Sequence, residues 1–297
     1  MQLPLSEDNV LIEFNRRHQS GKIFYDNDPQ IRLITIDGFK FEFAITEAIS
    51  KKPYIKDNKD EPPQTADPLI PRPTGFAPGS DINVSGYEVT DINGTHQLAF
   101  NKFCMYCPHL LLLTNDGYKR QYEHLDVADF AAGCSTLESL GWNYFMFFNC
   151  GKDGGCSRLH KHIQLAPYQK GRLAPWPARA GDVQAKVPYE FILRRFEHQT
   201  GPEQVVEVYE QMVVKAREML GVSDDSSLSE HVPHNLVMGK NWMLLIPRRK
   251  AGCGGAYANA LGMLGMVSVA NSEELRCWKA QGPWQVLEEL GLPRSHE

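Results

Sequence analysis

The 297-residue chain has no run near the ~20 consecutive apolar residues of a bilayer-spanning helix. Its opening residues, MQLPLSEDNV, lack a basic end followed by an apolar stretch, so neither anchor nor secretory leader is expected. Positive charge is not in excess either. With 31 Lys+Arg against 36 Asp+Glu the formal net charge is −5, which gives no electrostatic case for nucleic acid as a bulk partner. A phosphate site would have to be local. The seven cysteines are odd in number and sit mostly in apolar or loop contexts, so reduced thiols in a cytoplasmic, or also nuclear, setting are expected. No carboxylate cluster marks a dedicated cation site, and no internal repeat is visible by eye. What remains is an ordinary globular composition, 42% hydrophobic and 23% charged, on a chain long enough for one large domain or two small ones.

The first forty residues, with NVLIEFNRRHQSGKIF, predict a helix and then a less regular segment. Between Lys51 and Asp81 seven prolines fall among charges, the composition of a long loop or lid. YEVTDI and THQLAF flank Asn93-Gly94, a pair that tolerates the positive φ angles of a two-residue hairpin turn. HLLLLT (His109 to Thr114) and YFMFF (Tyr144 to Phe148) are apolar runs of buried strands. Between them a helical period runs from Asp126, as N-cap, to Leu140, with Gly141 beyond. Later, Pro202 to Leu220 predicts a helix closed by Gly221, and HNLVMGKNWMLLIP a second hairpin around Gly239-Lys240-Asn241. The packing of GGAYANALGMLGMV is not assigned. The order of elements predicts an α+β fold with an antiparallel sheet, divided near residue 170 into a first region, 1–170, and a second, 171–297, packed on it.

The most informative stretch is NCGKDGGCSRLHKHIQL, Asn149 to Leu165. Glycines 151, 154 and 155 let a loop expose several backbone N–H groups to one point, an array suited to phosphate oxygens. His160, His162 and Gln164 follow at every second position. On a strand from Leu159 to Leu165 they share one face, while Lys161, Ile163 and Leu165 share the other. A neutral imidazole there can attack phosphorus and split a displacement into two steps. A strand and not a helix follows the glycines, which excludes a Walker loop or a dinucleotide fingerprint.

The pattern N-x-G-x-x-x-G-x-S-x-x-H-x-H-x-Q resembles the active-site segment of fungal-type diadenosine tetraphosphate phosphorylases, also called ATP adenylyltransferases. These belong to the histidine-triad superfamily, beside galactose-1-phosphate uridylyltransferase. LAFNKFCMYCPHLLLLT, NWMLLIPR and ANALGMLGM resemble further segments of the family in the same order, so the resemblance covers about Ala48 to Val269. It implies a histidine-triad-like antiparallel sheet flanked by helices, with a C-terminal extension completing the core. It also implies cleavage of diadenosine tetraphosphate by inorganic phosphate to ATP and ADP. His162 would be the nucleophile, forming an adenylyl-histidine, and His160 would orient it. Gln164 stands where the hydrolase branch has a third histidine; an amide can donate a hydrogen bond but cannot shuttle a proton to water.

By matching position, Asn101, Lys102, Asn149, Gly155, Cys156, Ser157 and Arg158 would contact substrate, with Lys52 closing over the polyphosphate from the loop. Asn259, Ala260 and Leu261 are weaker carry-overs for phosphate contact. Arg158 departs from the commoner glutamine, and Cys150 from a small residue. A divalent cation, magnesium, would accompany the nucleotide. Cys104-Met-Tyr-Cys107 has the spacing of a zinc half-site, but it abuts a buried strand without obvious further ligands, so no structural metal is expected. Two other readings stay open: a nucleotide sensor that retains the pocket without turnover, and a hydrolase of the same fold.

Overall fold

Capping residues and glycines set most element boundaries in the computed structural model, which describes residues 4–51, 76–179, 186–197, 200–222 and 231–294. The chain begins with α1 (Glu7–Gln19), β1 (Phe24–Tyr25), β2 (Gln30–Ile36), β3 (Phe39–Ile45) and α2 (Glu47–Ser50). It continues with β4 (Glu88–Ile92), β5 (His96–Phe100), β6 (Phe103–Cys104), β7 (Leu110–Thr114), α3 (Val127–Ser139), β8 (Tyr144–Cys150) and β9 (His162–Pro167). The later part holds β10 (Ile192–Arg195), α4 (Pro202–Leu220), β11 (His234–Gly239), β12 (Trp242–Pro247), β13 (Gly252–Cys253) and β14 (Ala256–Tyr257). It closes with α5 (Ala260–Met263), β15 (Met266–Val269), α6 (Ser272–Gln281) and α7 (Pro283–Leu290).

Helices α3 and α4 follow their end signals. Asp126 caps α3 through a reciprocal box with Asp129, and Gly141 turns the chain out at φ 67°. Pro202 opens α4 and Gly221, at φ 66°, closes it. The Asn93-Gly94 hairpin forms with φ of 56° and 70°. The segment after α1 is more regular than its composition implies. Asp37 (φ 49°) and Gly38 (φ 85°) make a tight turn between β2 and β3, whose residues pair in one continuous register. The glycine- and alanine-rich stretch without an assigned role supplies β14, α5 and β15, and β15 pairs in parallel with β3.

Eight strands form one antiparallel sheet in the order β10-β12-β11-β8-β9-β7-β5-β4. One face packs on α1, α3 and α4 through residues such as Phe14, Phe130, Tyr209, Met146, Phe148, Ile163 and Leu165. The other face, with Phe145, Phe147, Ala166, Val237 and Leu244, lies under β3, β15 and the helices α5, α6 and α7. The sheet crosses the boundary near residue 170, because β8 pairs with β11 in register from Met146↔Met238 to Cys150↔His234.

A repeat hidden in the sequence is plain in the topology. In β7-α3-β8-β9 and again in β10-α4-β11-β12, a strand, a helix and a hairpin follow one another. Each time the first strand pairs with the hairpin's second strand. The antiparallel pairing of β8 with β11 relates the two units by an approximate two-fold axis, and α3 packs beside α4, with the Phe130 and Tyr209 rings 5.4 Å apart.

Candidate active site

The site is assembled where β8 ends and β9 begins. The ladder of β9 starts at His162, three residues later than the alternation pattern predicts. The cause is local: the Asp81 carboxylate accepts from the N–H groups of Leu159 (2.8 Å) and His160 (2.9 Å). Residues 119–121 pair instead with 159–161, through Gln121 N–H to Leu159 O and Lys161 N–H to Lys119 O. Buried Gln121 then spans the mouth of the loop. Its Oε1 accepts from His162 N–H (2.8 Å), and its Nε2 donates to His162 O (3.0 Å) and Asn149 O (3.2 Å). One side chain thus replaces ladder bonds that the loop interrupts.

His162 Nδ1–H donates to the carbonyl of His160 at 2.8 Å. That bond fixes the tautomer and leaves the nucleophilic lone pair on Nε2. The His160 ring is buried and held on both sides. Its Nε2–H donates to Thr114 O (3.0 Å), and Ser80 Oγ–H donates to its Nδ1 (2.8 Å). Burial lowers its pKa, so it is neutral. His160 is therefore built to hold a carbonyl in place and not to move protons. Gln164 lies two residues beyond His162 on the same face, its Oε1 accepting from His109 Nε2 at 3.0 Å.

Lys161, between the two histidines, faces the helices. Its Nζ lies 2.6 Å from Asp129 Oδ2 and donates to His124 O at 2.7 Å, while Asp129 Oδ1 accepts from His96 Nε2 at 3.0 Å. Burial pushes the Asp129 carboxyl upward, but the His96 hydrogen bond and the Lys161 charge outweigh it and hold the carboxyl below its ordinary value. The ionic contact locks the strand's rotation from behind.

The glycine loop is shaped by close approaches. A Cβ at Gly154 would lie 2.3 Å from Cys150 O, and one at Gly155, at φ +83°, 2.8 Å from Ala258 O. Asn149 Oδ1 accepts from Asn235 Nδ2 (3.0 Å) and Ala260 N–H (2.8 Å). Beneath the loop sits Arg248, 1% exposed. Its guanidinium donates to Asn235 Oδ1 and to the carbonyls of Gly154 (3.4 Å), Lys250 (2.8 Å), Ala258 (2.9 Å) and Leu290 (3.3 Å). Burial pulls its pKa down to about 9, still above neutrality, so a positive charge stands directly behind the phosphate-type loop.

Half-buried Asn101 donates from Nδ2 to His109 Nδ1 at 3.4 Å. Lys102 is exposed, and its Nζ lies 5.7 Å from the centre of the Phe24 ring, which Lys51 Nζ approaches at 5.1 Å. Lys52 lies outside the described residues, as does most of the proline-rich segment. Ser157 is exposed, and Arg158 Nη1 donates to its carbonyl at 2.8 Å. Cys156 has its thiol pushed up to about 11 by burial, which keeps it protonated. Asn259 caps α5 by accepting from Leu261 and Gly262 N–H. Ala260 and Leu261 are buried and both their N–H groups are committed to side-chain oxygens, so neither offers phosphate a donor in this conformation. Cys104 is a buried thiol donating to Asn101 O, and among the described residues no group of three or more His, Cys, Asp or Glu could hold a metal ion.

Two family models match in tandem: the Ap4A phosphorylase N-terminal domain over residues 27–178 and the ATP adenylyltransferase C-terminal domain over residues 185–293. The chain belongs to the Ap4A phosphorylase family. Among curated proteins it resembles diadenosine 5',5'''-P1,P4-tetraphosphate phosphorylase 2 of Saccharomyces cerevisiae, 26% identical over 215 residues. That match covers 62% of this chain and 66% of the yeast protein, just under two thirds. Crystal structures of yeast Ap4A phosphorylase share the fold. The complex with Ap4A gives a TM-score of 0.74 at 18% identity over all of both chains, and the complex with AMP 0.72 at 19% over 99% of each. The histidine-triad-like α+β architecture follows from these likenesses.

Several site-building residues carry no motif of their own. Ser80 and Asp81 end a proline-rich stretch, Gln121 lies in a loop and Asp129 in a helix, while Arg248 follows β12 at the end of NWMLLIPR, a segment that does not by itself mark it as a site residue. Their roles depend on tertiary contacts.

Proposed function

We propose that the protein is a diadenosine tetraphosphate phosphorylase, converting the dinucleotide and inorganic phosphate to ATP and ADP. The observation that carries this reading is His162, its Nδ1–H on the His160 carbonyl and its lone pair on Nε2, immediately behind the glycine loop. Nε2 attacks the α-phosphorus, an N–P bond forms, and the P–O bond to the ATP leaving group breaks. The positive charge that develops on the imidazole is stabilised through Nδ1–H and the carbonyl. Phosphate oxygen then attacks the adenylyl-histidine, the N–P bond breaks, and ADP leaves. Because phosphate arrives already ionised, no general base is required, which suits an amide at position 164. Arg248 supplies positive potential behind the loop for the polyphosphate, and Lys51 and Lys102 stand on the β1–β6 side. Magnesium would be carried in by the polyphosphate oxygens, which suits a described site rich in donors and without a carboxylate cluster.

The test is incubation with diadenosine tetraphosphate and magnesium, with and without phosphate, followed by nucleotide separation. ATP and ADP in equal amounts, dependent on phosphate, support the assignment. Fast release of AMP without phosphate would make the protein a hydrolase, and binding without any product would make it a sensor.

A further inference from the structure

Gln164 can serve a phosphate only if its NH2 group, and not its oxygen, faces the substrate. Amide orientation is set by neighbours, and here the neighbours form a chain that ends on a backbone atom. Phe103 N–H donates to Asn101 Oδ1 at 3.0 Å. A backbone N–H can only donate, so the Asn101 oxygen is pinned there and its Nδ2 is the group that meets His109 Nδ1 at 3.4 Å. His109 Nδ1 must then be an acceptor, which places the proton of the neutral ring on Nε2. That proton points at Gln164 Oε1, 3.0 Å away. His109 is 2% exposed, wedged between the Tyr106 and Phe147 rings at 6.2 and 6.0 Å, so it cannot turn over to exchange its two nitrogens.

We infer that His109 is a positioning residue which, set by Asn101 and the Phe103 amide, locks the Gln164 side chain with its NH2 group turned toward the substrate. This rests on the phosphorylase reading for what the NH2 group serves. The lock itself is a property of the fold. The step it assists is unchanged: NH2 donates to a non-bridging oxygen of the phosphoryl group as the His162 N–P bond forms. Without His109 the amide is free to present its oxygen, which would repel a phosphate oxygen.

Three measurements decide this. Long-range proton–nitrogen NMR of the wild-type chain should show His109 neutral with the proton on Nε2; a proton on Nδ1 overturns the inference, whatever the enzyme's substrate is. Second, His109→Phe keeps a ring between Tyr106 and Phe147 but removes both nitrogens. It should lower kcat on the order of tens of fold, while affinity for diadenosine tetraphosphate, measured in the His162→Ala background, changes less than about threefold. His109→Gln, which can still donate toward Gln164, should recover part of kcat. Third, His109→Phe should have almost no further effect on a Gln164→Ala protein, because both changes remove one device. Additive losses in that pair overturn the proposal. A wild-type chain that makes no ATP from the dinucleotide would sink the functional reading and leave the tautomer result to judge the lock.

Discussion

At the scale of single residues, the histidines of this site differ in task although they lie two apart. His162 is held through Nδ1, which leaves Nε2 for the attack proposed above; His160 is held by both ring nitrogens. His162→Ala should therefore abolish turnover and leave nucleotide binding largely intact. Wild-type protein quenched in base after brief exposure to labelled dinucleotide should carry acid-labile, base-stable adenylate that the variant lacks. Label on the variant would remove His162 from the mechanism. His160→Ala should act through the carbonyl it steadies, lowering kcat on the order of tens to thousands of fold. Stability should show the same burial. Burial lowers His124, His160 and His234, the last to about 3, and His124 is lowered further by His231, Arg217 and Lys161. A histidine kept neutral in the fold but not in the unfolded chain contributes stability that is complete above its unfolded pKa of ~6.5. That stability is lost as pH falls toward the folded value. The unfolding free energy from urea titration should thus drop between pH 7 and 5, by up to about 1.4 kcal/mol per pH unit for each such group. A flat profile would mean that these rings protonate in the native state.

At the scale of elements, the glycine loop separates two demands that sequence alone merges. Gly151 needs a positive φ, 72°, but a Cβ there would meet nothing closer than Tyr122 Cβ at 3.8 Å. Gly155 needs both a positive φ and close contact with the backbone at Ala258 and Asn259. Gly151→Ala should cost about 1–2 kcal/mol of left-handed strain and keep measurable turnover. Gly155→Ala should cost more and lose turnover, because the loop must lift off the α5 segment. Equal denaturation midpoints for the two variants would contradict this. The main elements were legible where local chemistry governs them. Asp126, Gly141, Pro202, Gly221 and Asn93-Gly94 mark their ends, and the alternation around His162 marks the face. The β2–β3 hairpin was also written in the chain, as alternating residues around Asp37-Gly38, but the weak burial of β2, an edge strand, blurs its pattern. The late start of β9 was not legible, because a carboxylate seventy-eight residues upstream decides it. Nor was Arg248, whose partners come from Gly154, Ala258 and Leu290.

At the scale of the whole molecule, the central β8–β11 pairing makes the two sequence regions one sheet. Fragments 1–170 and 171–297 expressed apart would each expose a long apolar edge, and both should be insoluble, whereas co-expression should restore soluble, active protein. Two independently soluble fragments would show that the pairing is dispensable. The approximate two-fold that relates the hairpins has a different consequence. Where one hairpin begins its second strand with His162 and continues through Gln164, the other begins with Trp242 and continues through Leu244 and Ile246, buried against the second core. The eleven-residue connection of the first hairpin is matched by only Lys240 and Asn241 in the second. A symmetric pair of subunits built on this plan would present the histidine-bearing hairpin twice, whereas among the described residues this chain presents it once. Trapped adenylate should saturate at one equivalent per chain, and progress curves should carry no sign of one centre waiting for its twin.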